Sequence, residues 1–234
     1  MGNNDDKVFL ITGASTGIGM ETARLAVKSG YRVVLAARSR EKLEQLASAL
    51  GGRQRALAVI CDVTDWKSMQ NLIAVSMQAF GRIDVAFANA GGIWGGGYIG
   101  GEDTPELWQQ MLMTNVFGAA TLARLTLPEL KLRKGHLLLT GSVIGRVAPP
   151  NNFYSATKWA ITGMAESLRS ALVGSDVRVT LIAPGRVDTP FWKVLPEEPM
   201  LLAEDVAKAV LYAVSQPPHV DVSEVLVRPV GQQL

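Results

Sequence analysis

Lys7-Val8-Phe9-Leu10-Ile11-Thr12-Gly13-Ala14-Ser15-Thr16-Gly17-Ile18-Gly19 decides the fold. Lys7 to Thr12 is a short apolar run of the kind a parallel strand buries on both faces. Gly13 to Gly19 follow directly, and Met20 to Lys28 read as a helix that Gly30 ends. Strand, glycine-rich turn and helix make a phosphate cradle. Its glycines permit a tight turn and close backbone approach. The helix amino terminus offers free N–H groups and a positive dipole end. The spacing is G-x-x-x-G-x-G rather than G-x-G-x-x-G. The bland alternative is a glycine-rich turn that holds nothing.

The same alternation continues outward. Short runs rich in Val, Leu, Ile and Ala predict strands near 7–12, 31–37, 56–61, 83–88, 136–141, 177–183 and 224–228. Amphipathic stretches predict helices near 17–29, 40–50, 65–80, 104–131, 152–173 and 203–214. Repeated βαβ units imply parallel strands with helices on both faces, and right-handed crossovers leave few topologies. The expectation is an α/β fold over residues 1–234: one Rossmann-type doubly wound sheet, order 3-2-1-4-5-6 with a seventh strand added. Thr104-Pro105 reads as a helix start, and Pro128 is expected to kink or end that helix. A glycine-dense loop, 91–101, and the segment 191–202 are candidate mobile lids, or else plain linkers.

Composition narrows the function. Of 234 residues, 48% are hydrophobic and 19% charged, enough for a large core and too few polar residues for long disorder. The net charge of +2 gives no electrostatic footprint for nucleic acid or an acidic membrane. One cysteine, Cys61, and two histidines, His136 and His219, cannot supply a zinc cluster or an intrachain disulfide. No metal is expected. Residues 1–6, polar and acidic, read as a disordered start rather than a secretory signal, and a cytoplasmic location is expected.

The chemistry enters with Tyr154-Ser155-Ala156-Thr157-Lys158. A phenol and an ammonium four residues apart share one helix face. A neighbouring cation favours phenolate, so the pair suits proton transfer near neutral pH. Alone, Y-x-x-x-K also arises by chance on solvated helices. Here it stands with Thr12-Gly13-x-x-x-Gly17-x-Gly19, Asn89-Ala90-Gly91, Asn115, Ser142 and Pro184-Gly185 in order. On these residues the chain resembles the short-chain dehydrogenase/reductase family, from about Lys7 to Thr189.

That resemblance implies an enzyme moving hydride between a nicotinamide cofactor and a carbonyl or alcohol. Gly13, Ser15, Thr16, Gly17, Ile18 and Gly19 would hold the pyrophosphate. Asp62 and Val63 would meet adenine; Asn89, Ala90, Gly91, Pro184, Gly185, Val187 and Thr189 would line the coenzyme. Tyr154 would be the acid or base and Ser142 a second hydrogen-bond donor to the same substrate oxygen. Lys158 would hold the nicotinamide ribose, and Asn115 a water linking Lys158 to solvent. The second strand ends Ala36-Ala37-Arg38, with no carboxylate for a ribose hydroxyl and a guanidinium suited to the 2′-phosphate of NADP. NADP is therefore the expected cofactor. The family's second Asn before Asn89 is Ala88 here, and the cradle stretch Ala14-Ser15-Thr16 lacks a basic residue.

Val143, Ile144, Gly145, Val147, Asn151, Trp94, Tyr98, Phe191 and Trp192 lie on segments expected to line a substrate pocket. They predict a small or medium carbonyl with an apolar part. By resemblance a homodimer or homotetramer pairs the two long helices, through Leu122, Leu125, Leu127, Trp159 and Met164 or else with these facing the sheet. Other classes are an NADP(H) sensor without chemistry and a scaffolding subunit. Turnover that depends on Tyr154 separates them from an enzyme.

Overall fold

A computed structural model describes residues 6–99, 103–192 and 199–232. The expected disordered start lies outside them except for Asp6, whose carbonyl accepts a bond from Arg32. Parts of both candidate lids, 100–101 and 193–198, are outside as well.

Nine strands are described: β1 (Val8–Thr12), β2 (Arg32–Ala37), β3 (Ala56–Ile60), β4 (Val85–Ala88), β5 (His136–Thr140), β6 (Arg178–Pro184), β7 (Val187–Asp188), β8 (Leu201–Leu202) and β9 (Glu224–Val227). Seven form one sheet in the order β3-β2-β1-β4-β5-β6-β9, and every pairing is parallel. The short β7–β8 pair stands apart and was not among the expected strands.

The helices are α1 (Gly17–Lys28), α2 (Arg40–Ala49), α3 (Trp66–Phe80), α4 (Pro105–Leu112), α5 (Gly118–Arg133), α6 (Phe153–Ala171) and α7 (Ala203–Ser215). They bury the sheet from both sides because each strand carries apolar residues on both faces. Val8, Leu10, Val34 and Ala36 face a core shared with Leu72 of α3, Leu122 of α5 and Ile161 of α6. Phe9, Ile11, Val33 and Leu35 face the other, shared with Ala26 of α1, Leu43 of α2 and Val210 of α7. Asp65 caps α3 by accepting from Lys67 N at 2.9 Å, and Asn152 caps α6 by accepting from Ser155 N at 2.8 Å. That second cap sets the first turn carrying Tyr154.

The expected helix at 104–131 is three pieces. Between α4 and α5, Met113–Phe117 form a π-helical turn, and α5 then runs through Pro128 to Arg133. Proline removes one helical donor, which frees the carbonyl of residue 124. Arg124 and Pro128 are both exposed, so water can satisfy that carbonyl and the helix persists. Leu122 is fully buried against the sheet, and Leu125, Leu127 and Met164 pack on the same core, whereas Trp159 is 44% exposed. Trp159 alone of the five is displayed outward.

Two buried polar groups are structural. Asp84 accepts from Val8 N at 2.9 Å and takes a forked pair of bonds from Arg82 at 2.8 and 2.7 Å, tying the starts of β1 and β4. His136 is buried beside Thr180, 2.7 Å from its hydroxyl. Burial, with Arg178 nearby, holds its pKa down to about 3. His219 is exposed. No described helix is long and apolar enough to cross a membrane.

Candidate functional site

The order of the sheet reverses between β1 and β4, and a crevice opens at the carboxyl ends of these strands. It is a cavity of about 650 Å³. Gly13, Ser15, Thr16, Gly17, Ile18 and Arg38 wall it from the side of β1 and β2. Ser142, Tyr154 and Lys158 wall it from β5 and α6, with Trp94, Phe191 and Trp192 around them. The turn and the Ser-Tyr-Lys set, far apart in sequence, thus share one space.

The cradle is built by close packing. Gly13 has φ +67°, and a Cβ there would come within 2.9 Å of Ala90 Cα. Gly17 has φ +55°, and a Cβ there would sit 3.0 Å from the Thr189 methyl. Thr16 precedes α1 without capping it by its side chain, and the first turn holds no acid. The N–H groups at this helix start therefore face the cavity side as donors for an anion.

Asn89 binds the sheet together. Its Nδ2 donates to the carbonyls of Thr12 at 3.1 Å and Gly13 at 3.4 Å, and its Oδ1 accepts from Thr140 Oγ1 at 3.3 Å. Thr12 Oγ1 in turn accepts from the N–H groups of Asn89 at 3.1 Å and Ala90 at 3.2 Å. Asn89 lines the cavity, yet its amide is committed to holding β1, β4 and β5 in register.

Ser142 opens a 3₁₀ turn, and its Oγ accepts from Ile144 N at 3.3 Å. Lys158 is only 4% exposed, and its Nζ donates to the Thr140 carbonyl at 2.8 Å. The same Nζ lies 5.5 Å from the centre of the Tyr154 ring. Burial lowers the Lys158 pKa to about 8 and pushes the Tyr154 phenol well above its ordinary 10. This reverses the expectation that Lys158 brings Tyr154 down. The ammonium is spent on Thr140 and stands over the ring face, so desolvation prevails.

Asn115 is buried within the π turn. Its Oδ1 accepts from Gly92 N at 2.9 Å; its Nδ2 donates to Gly92 O at 2.9 Å and to Thr157 Oγ1 at 3.2 Å. Both polar ends of the side chain are thereby engaged, joining the loop after β4 to α6. A π turn at an asparagine is the kind of local irregularity found at functional sites.

Other expected residues fall behind the wall. Asp62 folds onto Thr64, accepting from its N at 2.9 Å and its Oγ1 at 2.8 Å. Val63 is buried where α5 begins, against Gly118. Gly19 packs beneath the turn, against Asn89. Of the pocket set, Val143, Ile144, Val147, Trp94, Phe191 and Trp192 line the cavity, while Gly145, Asn151 and Tyr98 do not. Gly145 backs onto Lys158, and Tyr98 packs edge-on to Phe153, 5.7 Å between ring centres.

The wall also contains Ile93, Thr114, Thr140, Gly141, Pro149, Asn152, Arg186, Pro190 and Gln232. Thr140 and Gly141 adjoin Ser142, so adjacency was a usable signal for them. Gln232 had none: the chain brings it back beyond β9, where its Oε1 accepts from Arg186 N at 3.0 Å. The charged residues of the described wall are Arg38, Lys158 and Arg186, with no aspartate or glutamate. Such a cavity suits a ligand bearing several negative charges.

A family model described as short chain dehydrogenase matches residues 7–199. An uncharacterised oxidoreductase of Staphylococcus aureus strain USA300 is 36% identical over 229 residues, 96% of this chain and 98% of the relative. An alcohol dehydrogenase from the archaeon Thermococcus sibiricus, complexed with 5-hydroxy-NADP, superposes with a TM-score of 0.89 at 32% identity, covering 97% of this chain and 98% of that one. A serine dehydrogenase complexed with NADP⁺ gives 0.88 at 28% identity, covering 97% and 96%. A short-chain dehydrogenase/reductase from Burkholderia phymatum in complex with NAD gives 0.85 at 26%, covering 97% and 90%.

Proposed function

Because the chain belongs to the short-chain dehydrogenase family, we propose that it is an NADP-dependent carbonyl reductase or alcohol dehydrogenase acting on a small or medium substrate. One observation carries this reading: Ser142, Tyr154 and Lys158 meet in the cavity that the glycine turn and Arg38 also wall. The neighbours divide between NADP-type and NAD ligands, so the choice rests on this chain's own residues. Arg38 follows β2, is exposed, and makes no hydrogen bond or ion pair among the described residues. Its guanidinium is free to fork onto a 2′-phosphate.

The residues fit a dinucleotide. The uncapped start of α1 offers N–H donors to a diphosphate, and Gly13 and Gly17, at positive φ and packed against Ala90 and Thr189, give the turn the shape that brings that start to the cavity. Asp62, Val63, Asn89 to Gly91, Pro184, Gly185, Val187 and Thr189 belong to the same proposed binding surface, some by direct contact and some as its support. The nicotinamide, when bound, supplies or accepts the hydride.

Tyr154 donates its phenolic proton to the carbonyl oxygen during reduction and takes it back during oxidation. The phenol carries its proton at neutral pH and so can donate it, though burial makes it a weaker acid than an exposed tyrosine. Ser142 donates to the same oxygen and stabilises the charge building there. Lys158 holds ribose hydroxyls, and Asn115 fixes the frame between the loop after β4 and α6. Assembly as a homodimer or homotetramer through α5 and α6 is part of this reading, supported by the outward Trp159.

The depressed Lys158 pKa has a measurable consequence. An anionic dinucleotide favours the ammonium, so binding raises that pKa above about 8. NADPH affinity is then highest below pH 8 and falls as pH rises through it. Calorimetry at pH 8.5 in buffers of different ionisation enthalpy should show proton uptake on NADPH binding, and Lys158→Met should abolish it.

The reading is tested by NADPH oxidation with purified protein against short 3-oxo acids, aldehyde acids, aryl ketones, quinones, cyclic ketones and ketosteroids. Turnover of one class supports the enzyme and names its substrate type. Tight NADPH binding with no turnover of any class supports the sensor instead.

A further inference from the structure

Residues 91–99 leave β4 and bring Ile93 and Trp94 into the cavity wall. Their glycine content reads as flexibility, but the backbone is held. Asp103 Oδ2 accepts from the successive N–H groups of Gly96 and Gly97 at 2.7 and 2.6 Å. Asn151 Oδ1 accepts from the next two, Tyr98 and Ile99, at 2.5 and 2.8 Å. Asn151 Nδ2 returns a bond to Ile99 O at 2.9 Å, and Phe153 N donates to Gly96 O at 3.0 Å. A Cβ on Gly95 would strike the Asp103 carboxylate, and one on Gly97 would strike the Asn151 amide. These two glycines therefore admit the clamp. The Gly97 and Gly96 bonds also hold the Asp103 carboxyl below the usual range, keeping it an acceptor at neutral pH.

The clamp leads to the catalytic helix. Asn151, at φ +52°, lies two residues before Phe153. The rings of Tyr98 and Trp108 pack on Phe153, 5.7 and 5.4 Å between centres, and Tyr154 follows directly. Ordering a glycine-rich segment costs more backbone entropy than ordering any other, so a fixed rim depends on bonds that offset the cost.

The geometry points to Asp103 and Asn151 as positioning residues that hold this rim closed against α6 and so select the substrate carbonyl by size. This rests on the reductase reading above. Neither side chain lines the cavity; both act through Ile93 and Trp94.

The test compares wild type, Asp103→Ala and Asn151→Ala with a short aliphatic ketone and a bulky aryl ketone, alongside amide exchange over residues 95–99. Both variants should lose exchange protection and keep their NADPH affinity. KM for the ketone that wild type prefers should rise roughly tenfold with a smaller change in kcat. The kcat/KM ratio should shift toward the bulkier ketone. Asn151→Asp, which keeps the accepting oxygen, should recover part of the wild-type ratio. Lost protection with unchanged KM and ratio would overturn the inference, as would protection intact in both alanine variants. A wild type that reduces no carbonyl overturns the reductase reading itself, and the inference with it.

Discussion

Tyr154→Phe lowers kcat for carbonyl reduction by about 10²–10⁴-fold and leaves NADPH affinity largely intact. The substitution removes one hydroxyl and keeps the ring. The packing of that ring against Phe191, 5.6 Å between centres, survives. So does the main-chain carbonyl that accepts from Thr157 Oγ1 at 2.8 Å. Only the transferable proton is lost. Single-turnover measurement with bound NADPH separates chemistry from binding. A variant that keeps most of its rate would show that another group, or water, protonates the substrate oxygen. The pH profile of the wild type is informative too. Burial holds the phenol protonated past pH 10, so reduction should not fail for want of a proton at neutral pH.

Arg38→Ala weakens NADPH binding by about tenfold to a hundredfold and changes NADH binding little. The size follows from charge-assisted bonds to a 2′-phosphate, each worth about 1.5–3 kcal/mol. Arg38 is exposed, so the wild-type preference should also shrink as salt is added, whereas that of the variant should not. Titration of both nucleotides, followed by reduced-nicotinamide fluorescence, reads the two affinities. Equal losses for NADPH and NADH would mean that Arg38 supports the site without choosing the cofactor.

The sheet was legible because each strand is short and apolar on both faces, and because right-handed crossovers leave few orders. Val8 to Thr12 and Val33 to Ala36 are buried throughout, as an inner parallel strand requires. The π turn at Met113–Phe117 was not legible, since one inserted residue leaves the helical pattern nearly intact. That α5 does not end at Pro128 was not legible for a related reason: the cost of a proline depends on whether the freed carbonyl meets water, and sequence does not show which side that is. In the site, Ser142, Tyr154 and Lys158 were legible as residue types at a spacing. Their electrostatics were not, because desolvation depends on what is packed around them. The role of Asn151 was hidden too. Its partners, Tyr98 and Ile99, are more than fifty residues away, and only the meeting of two loops reveals it.

The glycines of the first turn carry a lesson about signatures. Gly13 abuts Ala90, Gly17 abuts Thr189, and Gly19 abuts Asn89. A side chain at any of them meets protein before it meets a ligand. A descendant that ceased to bind nucleotides would still be strained by a side chain at any of the three. Arg38, with no internal partner among the described residues, and the hydroxyl of Tyr154 would be under no such obligation. The most recognisable part of this sequence is thus a fossil-grade marker of architecture. Under the proposed function, the perishable record of activity lies in an arginine tip and a single phenolic oxygen.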